Sequence, residues 1–245
     1  MPVDWTRIGP LPQVSPWRHG QRTLTWEQRR DQYAALPKTG LTIIAELATP
    51  VIHAERDRTH LDGILSSAAI TDHPAPSKWD KVAIVPLPID LLWVSPRGLP
   101  LWACTPLMVS DDAVTSHEYW HKRYPTDRAD FGVKLRANTS SGRWREYRMP
   151  VAAQSASRLV AVAIGHAAEV QRLLDGITHI GKKGSMGYGR VLRWSVVETA
   201  GVTPDDILSR RPVPVASRLR QGDPVPARGW TPPYWYAPHW EDCVG

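Results

Sequence analysis

Residues 158–197 read RLVAVAIGHAAEVQRLLDGITHIGKKGSMGYGRVLRWSVV. The run divides into four parts. Arg158–Ile164 is an unbroken stretch of Leu, Val, Ala and Ile after one charge, and it predicts a strand. His166–Asp175 sets Val170, Leu173 and Leu174 at helical spacing, with Gly176 where a C-cap belongs, and predicts a helix. Gly181, Gly184, Gly187 and Gly189 then break all periodicity. Val191–Val197 reads as a second strand. The order is strand, helix, glycine-rich loop, strand.

The loop also carries chemistry. Lys182, Lys183, Arg190 and Arg193 add four positive charges with no acid among them. Backbone N–H groups of a glycine-rich turn, here around Gly184, Ser185 and Gly187, can cradle phosphate as a nest. Met186 and Tyr188 can cover a base or a sugar. Phosphate loops of nucleotide-binding enzymes follow a strand and open a helix, and this loop does the reverse. Nucleotide cofactors are therefore disfavoured, no cofactor or metal is expected, and a polymer backbone is the expected ligand.

Upstream, the same alternation recurs. Leu41–Ala48 (LTIIAELA) predicts a strand buried on one face. His60–Ile70 (HLDGILSSAAI) spaces Leu61, Ile64, Leu65, Ala68 and Ala69 as a helix. Between the two units, Val82–Leu87, Leu91–Val94 and Leu101–Val109 read as strands, the last two joined by a turn at Ser95-Pro96-Arg97-Gly98. Arg143–Met149 (RWREYRM) reads as a strand with Arg143, Arg145 and Tyr147 on one face. Two strand–helix units separated by strands predict an α+β chain. The expected fold is a ferredoxin-like (RRM-like) split βαβ sheet with a glycine-rich loop, an inserted β-hairpin and irregular extensions.

Three regions follow. Residues 1–40 form an N-terminal extension with a helix from Trp26 to Leu36, started by a capping box of Thr25 and Gln28. Residues 41–200 are expected to form a ferredoxin-like, RNA-binding domain. Residues 201–245 form a proline-rich tail, with a helix start at Thr203-Pro204-Asp205-Asp206 and an extended course after Pro212.

The 245 residues are 42% hydrophobic and carry a formal charge of +6, so the chain can bury a core and attract polyanions. Arginine outnumbers lysine, 23 to 7, which favours forked contacts to phosphate and stacking on bases. No apolar run is long enough to cross a bilayer. Two cysteines, Cys104 and Cys243, build neither a disulfide framework nor a zinc site, so a cytoplasmic location and no membrane contact are expected.

A second basic patch is expected at Lys122, Arg123, Arg143 and Arg145. His117-Glu118-Tyr119-Trp120-His121 is a literal H-E-x-x-H, which binds zinc when a helix sets both histidines on one face. Closure by Pro125 and the shortness of the stretch argue against a metalloprotease, with Glu146 the sole candidate third ligand nearby. Asp111-Asp112 lacks acidic partners at two-metal spacing. A stronger alternative is a metal-independent ribonuclease. There His53 or His60 would take the 2′-OH proton while Lys182 or Tyr188 stabilises the transition state.

The succession of strand, HLDGILSSAA helix, later strand and helix, and GKKGSMGYGRV resembles the RAMP proteins of CRISPR systems over residues 41–200. The stretch Leu61-Asp62-Gly63-Ile64-Leu65, after a strand and a Thr-Pro, is similar to the type IV subunit that caps the 5′ end of the guide RNA. The resemblance implies an RRM-like fold with the glycine loop near the RNA backbone. It implies guide RNA, backbone RAMP subunits and a large subunit as partners, and a role in holding the RNA 5′ end rather than cutting it.

Overall fold

A computed structural model of the chain describes residues 3–9, 11, 17–18, 21–22, 24–52, 59–72, 84–123, 140 and 145–244. After a 3-10 turn at Trp5–Arg7 come β1 (Trp17–Arg18) and β2 (Gln21–Arg22), which pair with each other. α1 (Trp26–Ala35) begins at the expected capping box: Gln28 N–H donates to Thr25 Oγ1 at 3.2 Å, and Thr25 N–H donates to the Gln28 side chain at 3.0 Å. Then follow β3 (Thr39–Leu47), α2 (Leu61–Asp72), β4 (Leu91–Val94), β5 (Pro100–Trp102), β6 (Met108–Val109), β7 (Val114–Lys122) and β8 (Tyr147–Ser155). The chain continues with β9 (Arg158–Gly165), α3 (Ala167–Leu174), β10 (Val191–Glu198), α4 (Pro204–Leu208), β11 (Val213–Pro214), β12 (Pro224–Gly229) and β13 (Trp240–Val244).

The architecture is mixed α+β with antiparallel sheets. Its central sheet runs β10-β3-β9-β6, every neighbour antiparallel. The one-face burial expected of Leu41–Ala48 is real, and the strand expected at Arg158–Ile164 shows the same alternation. Leu41, Ile43 and Ala45 of β3 and Leu159, Ala161 and Ala163 of β9 are buried, and their neighbours along each strand are half-exposed. Leu61 and Leu65 of α2 and Val170, Leu173 and Leu174 of α3 complete this core. None of the described helices is long and apolar enough to cross a membrane.

Three expected strands change. Ile84, Val85 and Leu87 are buried, but they lie in irregular chain, because Pro86 and Pro88 have no N–H to give a ladder. Leu101–Val109 is split into β5 and β6 around Pro106. The strand expected at Arg143–Met149 starts at Tyr147 and continues through Pro150 to Ser155, in register with β7 from Lys122↔Tyr147 to Val114↔Ser155. A proline is tolerated there because β7 and β8 form a two-stranded ribbon with an open edge. Of the RWREYRM stretch, Arg143 and Trp144 lie outside the described residues.

Edge strand β10 is closed by a side chain. Gln171 of α3 accepts from Val196 N–H at 3.0 Å and donates to the Trp194 carbonyl at 3.4 Å, as a neighbouring strand would. Gln171→Leu is expected to cost about 1–2 kcal/mol in urea unfolding, since two edge groups lose their partner.

The tail is more ordered than its prolines suggest. β11, β13 and β12 form a three-stranded sheet, and Val213, Trp230 and Cys243 join the core. Burial pushes the Cys243 thiol up to about 11 and the Cys104 thiol higher still. Both cysteines are therefore expected to resist iodoacetamide at neutral pH until the chain is unfolded, as mass spectrometry of the treated protein would report.

Candidate nucleic-acid interface

The glycine-rich segment is a tethered loop built on close backbone approaches. Gly181 and Gly189 have φ of +77° and +64°. A Cβ at Gly181 would sit 2.6 Å from the Ile52 carbonyl oxygen, and one at Gly189 only 1.9 Å from that of Ile180. Backbone bonds follow from this closeness. Lys182 N–H donates to the Ile52 carbonyl, Gly189 N–H to that of Pro50, and Ile180 N–H to that of Gly189, each at 2.8 Å. Thr49 Oγ1 adds a clasp, donating to the Gly187 carbonyl at 2.7 Å and accepting from Arg190 N–H at 2.9 Å.

These two glycines therefore answer to the protein's own backbone. The tip is different. Lys183 takes a left-handed conformation (φ +66°) and caps a 3-10 turn, Gly184–Met186. The N–H groups of Gly184 and Ser185 open that turn and have no acceptor among the described residues. Ser185, Met186 and Gly187 are exposed, as are the Lys182 and Arg190 side chains flanking them.

The β7–β8 ribbon stands beside this loop. Nine residues per strand give it a length of about 30 Å. Alternation sorts β7 into two faces. Ser116, Glu118 and Trp120 are half-buried, whereas His117, Tyr119 and His121 are exposed. The inner face touches the loop: Tyr188 Oη donates to Glu118 Oε2, and Lys183 Nζ lies 3.0 Å from the Trp120 ring centroid. Tyr147 closes on Trp120 edge-on at 4.9 Å. On the outer face Arg148 stacks over Tyr119 at 3.8 Å. The ribbon root is fixed by the Val51↔Gln154 bridge, one residue before the Ile52↔Lys182 bridge that fixes the loop.

The structure thus brings together two groups far apart in the chain. The loop residues Lys182, Lys183, Gly184, Ser185, Met186, Gly187, Tyr188 and Arg190 lie against a ribbon whose far end carries Lys122 and Arg123. Arg145 is exposed just before β8; Arg143 lies outside the described residues. Lys183 and Tyr188 are not free cation and free ring, because the ribbon holds both. The inner-face residues Glu118 and Trp120 were hidden in the sequence inside H-E-x-x-H, and only their i, i+2 spacing signals a shared strand face.

That same strand disposes of the zinc reading. On β7 the two histidines stand about 13 Å apart, four residues along an extended chain. No group of three or more His, Cys, Asp or Glu among the described residues could hold a metal ion. Asp112 is used locally: it accepts from Ser110 Oγ and, at 3.1 Å, from Ser157 N–H, tying the ribbon to β9.

His60 is buried at the first turn of α2 and stacks on Tyr234 of the tail at 4.1 Å, 18° from parallel. His53 lies outside the described residues. Asp62 is also fully buried and accepts from Tyr234 Oη at 2.7 and 2.9 Å and from Arg211 at 3.2 Å. Burial, and then the Asp62 carboxylate, push the Tyr234 hydroxyl well above its ordinary pKa, so it stays a donor.

Comparison with known proteins gives one match and one blank. The model of the family described as CRISPR type IV associated protein Csf3 matches residues 103–243, which span the ribbon, the glycine loop and the tail sheet. No curated protein matches the chain.

Proposed function

We propose, from the premise that this chain belongs to the CRISPR type IV associated protein Csf3 family, that it is a non-catalytic RNA-binding subunit holding the 5′ end of the guide RNA in a type IV complex. The observation carrying this reading is the junction of the glycine loop with the β7–β8 ribbon. It puts the N–H groups of Gly184 and Ser185, unpaired among the described residues, the exposed Lys182 and Arg190, and the basic end of the ribbon at Lys122 and Arg123 on adjoining elements. Phosphates bind to such N–H groups and cations, and exposed Met186 supplies an apolar contact for a sugar or base.

The connectivity supports a RAMP reading. Numbering only the strands of the central sheet by chain order, β3, β6, β9 and β10 lie in the spatial order fourth, first, third, second, with α2 and α3 as the two crossovers. That is the order of a ferredoxin-like, split βαβ sheet. Backbone RAMP subunits and a large subunit are the partners this role requires.

Titrating labelled repeat RNA into the chain tests the reading. Lys182→Ala with Lys183→Ala is expected to lower affinity and to reduce the magnitude of the salt slope by about 0.7 per lost phosphate contact. An unchanged affinity and slope would sink the loop as an RNA contact. The same RNA, incubated with the protein in EDTA, is expected to remain intact. Cleavage at a single site, abolished by His53→Ala or His60→Ala, would instead make the chain a metal-independent ribonuclease that processes guide RNA.

A further inference from the structure

The tail sheet carries a surface of a different kind. Where β11 ends at Pro214 and the chain turns away through Val215–Ser217, an open cleft of about 360 Å³ is left against β13. It is lined by Val215, Ala216 and Pro224 and by the strand residues Glu241 and Asp242. Val215 is 41% exposed, and Trp240, two residues before Asp242 on β13, is 45% exposed. Residues i and i+2 of a strand share a face, so the indole and the Asp242 carboxylate point the same way. Glu241 is held by Arg97, which donates to it and, at 2.7 Å, to the Pro238 carbonyl. Asp242 has no ion-pair partner among the described residues.

Apolar walls ending in a carboxylate are the complement of one side chain. An arginine has an apolar stem to lay on Val215, Ala216 and Pro224 and a forked cation to reach Asp242, and its plane can lie on the Trp240 ring. The cleft also runs against the charge of the whole chain, which is +6. Glu241 is neutralised by Arg97, and the Asp242 carboxylate repels phosphate, so this surface does not extend the RNA-binding one. Exposed tryptophan beside a desolvatable charge is the composition of an interface anchor.

We propose that the β11–β13 cleft is a protein-docking site that takes an arginine from an extended segment of another subunit, with Asp242 as its charge partner and Trp240 as its stacking partner. The site is separate from the glycine loop and does not depend on the RNA reading.

A fluorescein-labelled acetyl-(Gly-Arg)3-amide peptide, titrated into the full chain at low salt and followed by anisotropy, tests this. The arginine peptide is expected to bind and its (Gly-Glu)3 counterpart not to bind. Asp242→Asn is expected to weaken binding about fivefold, and Asp242→Arg to weaken it further. Ala216→Trp fills the cleft without changing charge and is expected to have a similar effect. Asp242 is exposed, so thermal melting of its variants is expected to match the parent. Affinity for repeat RNA is expected to stay within about twofold for Asp242→Asn and Ala216→Trp. The proposal is overturned if the peptide fails to bind, or if Asp242→Asn and Ala216→Trp leave its affinity unchanged. It is equally overturned if those variants alter RNA affinity instead, which would make the cleft part of the nucleic-acid surface.

Discussion

Arg211→Met is expected to lower the folding free energy by about 3–5 kcal/mol, the usual cost of stripping one partner from a buried ion pair. The Arg211 and Asp62 side chains are both 0% exposed. Arg211 donates to the carbonyls of Trp102 at 2.6 Å, Cys104 at 2.9 Å and Trp230 at 2.7 Å, as well as to Asp62 at 3.2 Å. It therefore rivets four pieces of chain together: the end of β5 at 102–104, the start of α2, and the tail at 211 and 230–234. Methionine fills much of the space but leaves the Asp62 carboxylate with Tyr234 as its remaining side-chain donor and takes the guanidinium from three carbonyls, of which Trp102 keeps the Cys104 N–H at 2.9 Å. Urea unfolding followed by near-ultraviolet circular dichroism measures the loss, and the tail tryptophans make the signal report directly on this region. Adding Asp62→Leu to Arg211→Met removes the orphaned charge and is expected to recover part of the stability. No recovery would mean that the carbonyl bonds, and not the ion pair, carry the effect.

Gly189→Ala is expected to cost about 2–4 kcal/mol, from left-handed strain together with overpacking. The added methyl would press on the Ile180 carbonyl oxygen at 1.9 Å, and that oxygen belongs to backbone that cannot swing aside. The pairing of Ile180 with Gly189 would open, and the Thr49 clasp on Gly187 and Arg190 would go with it. Gly187→Ala supplies the contrast. Its φ is +91°, but a Cβ there meets nothing within 4 Å, so about 1–2 kcal/mol of conformational strain is the whole expected cost. Hydrogen exchange distinguishes the two. Gly189→Ala is expected to release the amides of Ile180 and Lys182, and Gly187→Ala to leave them protected. Equal effects would show that the loop's tether is not what these glycines serve.

The loop shows how a correct reading can have an incomplete reason. Four glycines and four cations point to phosphate from the sequence alone. The structure divides the glycines: Gly181 and Gly189 let the loop touch its own neighbours, and the 3-10 tip from Gly184 holds the open N–H groups. It also divides the cations, because Lys183 sits on Trp120 while Lys182 and Arg190 are exposed. No pattern within residues 176–193 carries that division, since the strand imposing it, β7, lies more than fifty residues away. The H-E-x-x-H stretch fails for a related reason. Its meaning depends on whether the backbone is helical or extended, and pairing with β8 makes it extended.

What the sequence determined by itself was local. The capping box at Thr25, the helix start at Thr203-Pro204, the turn at Ser95–Gly98 and the separate elements β3, α2, β9 and α3 all rest on residues within a few positions of one another, and the type IV resemblance rests on their succession along the chain. Steric preference, side-chain period and short-range hydrogen bonds act over that range. The tertiary structure alone decided the rest. Asp62 meets Arg211 across 149 residues, Glu118 meets Tyr188 across 70, and the proline-rich tail becomes a sheet with a cleft of its own. Such contacts depend on which strand edges and buried charges find partners once the chain closes on itself, and no local propensity encodes that choice.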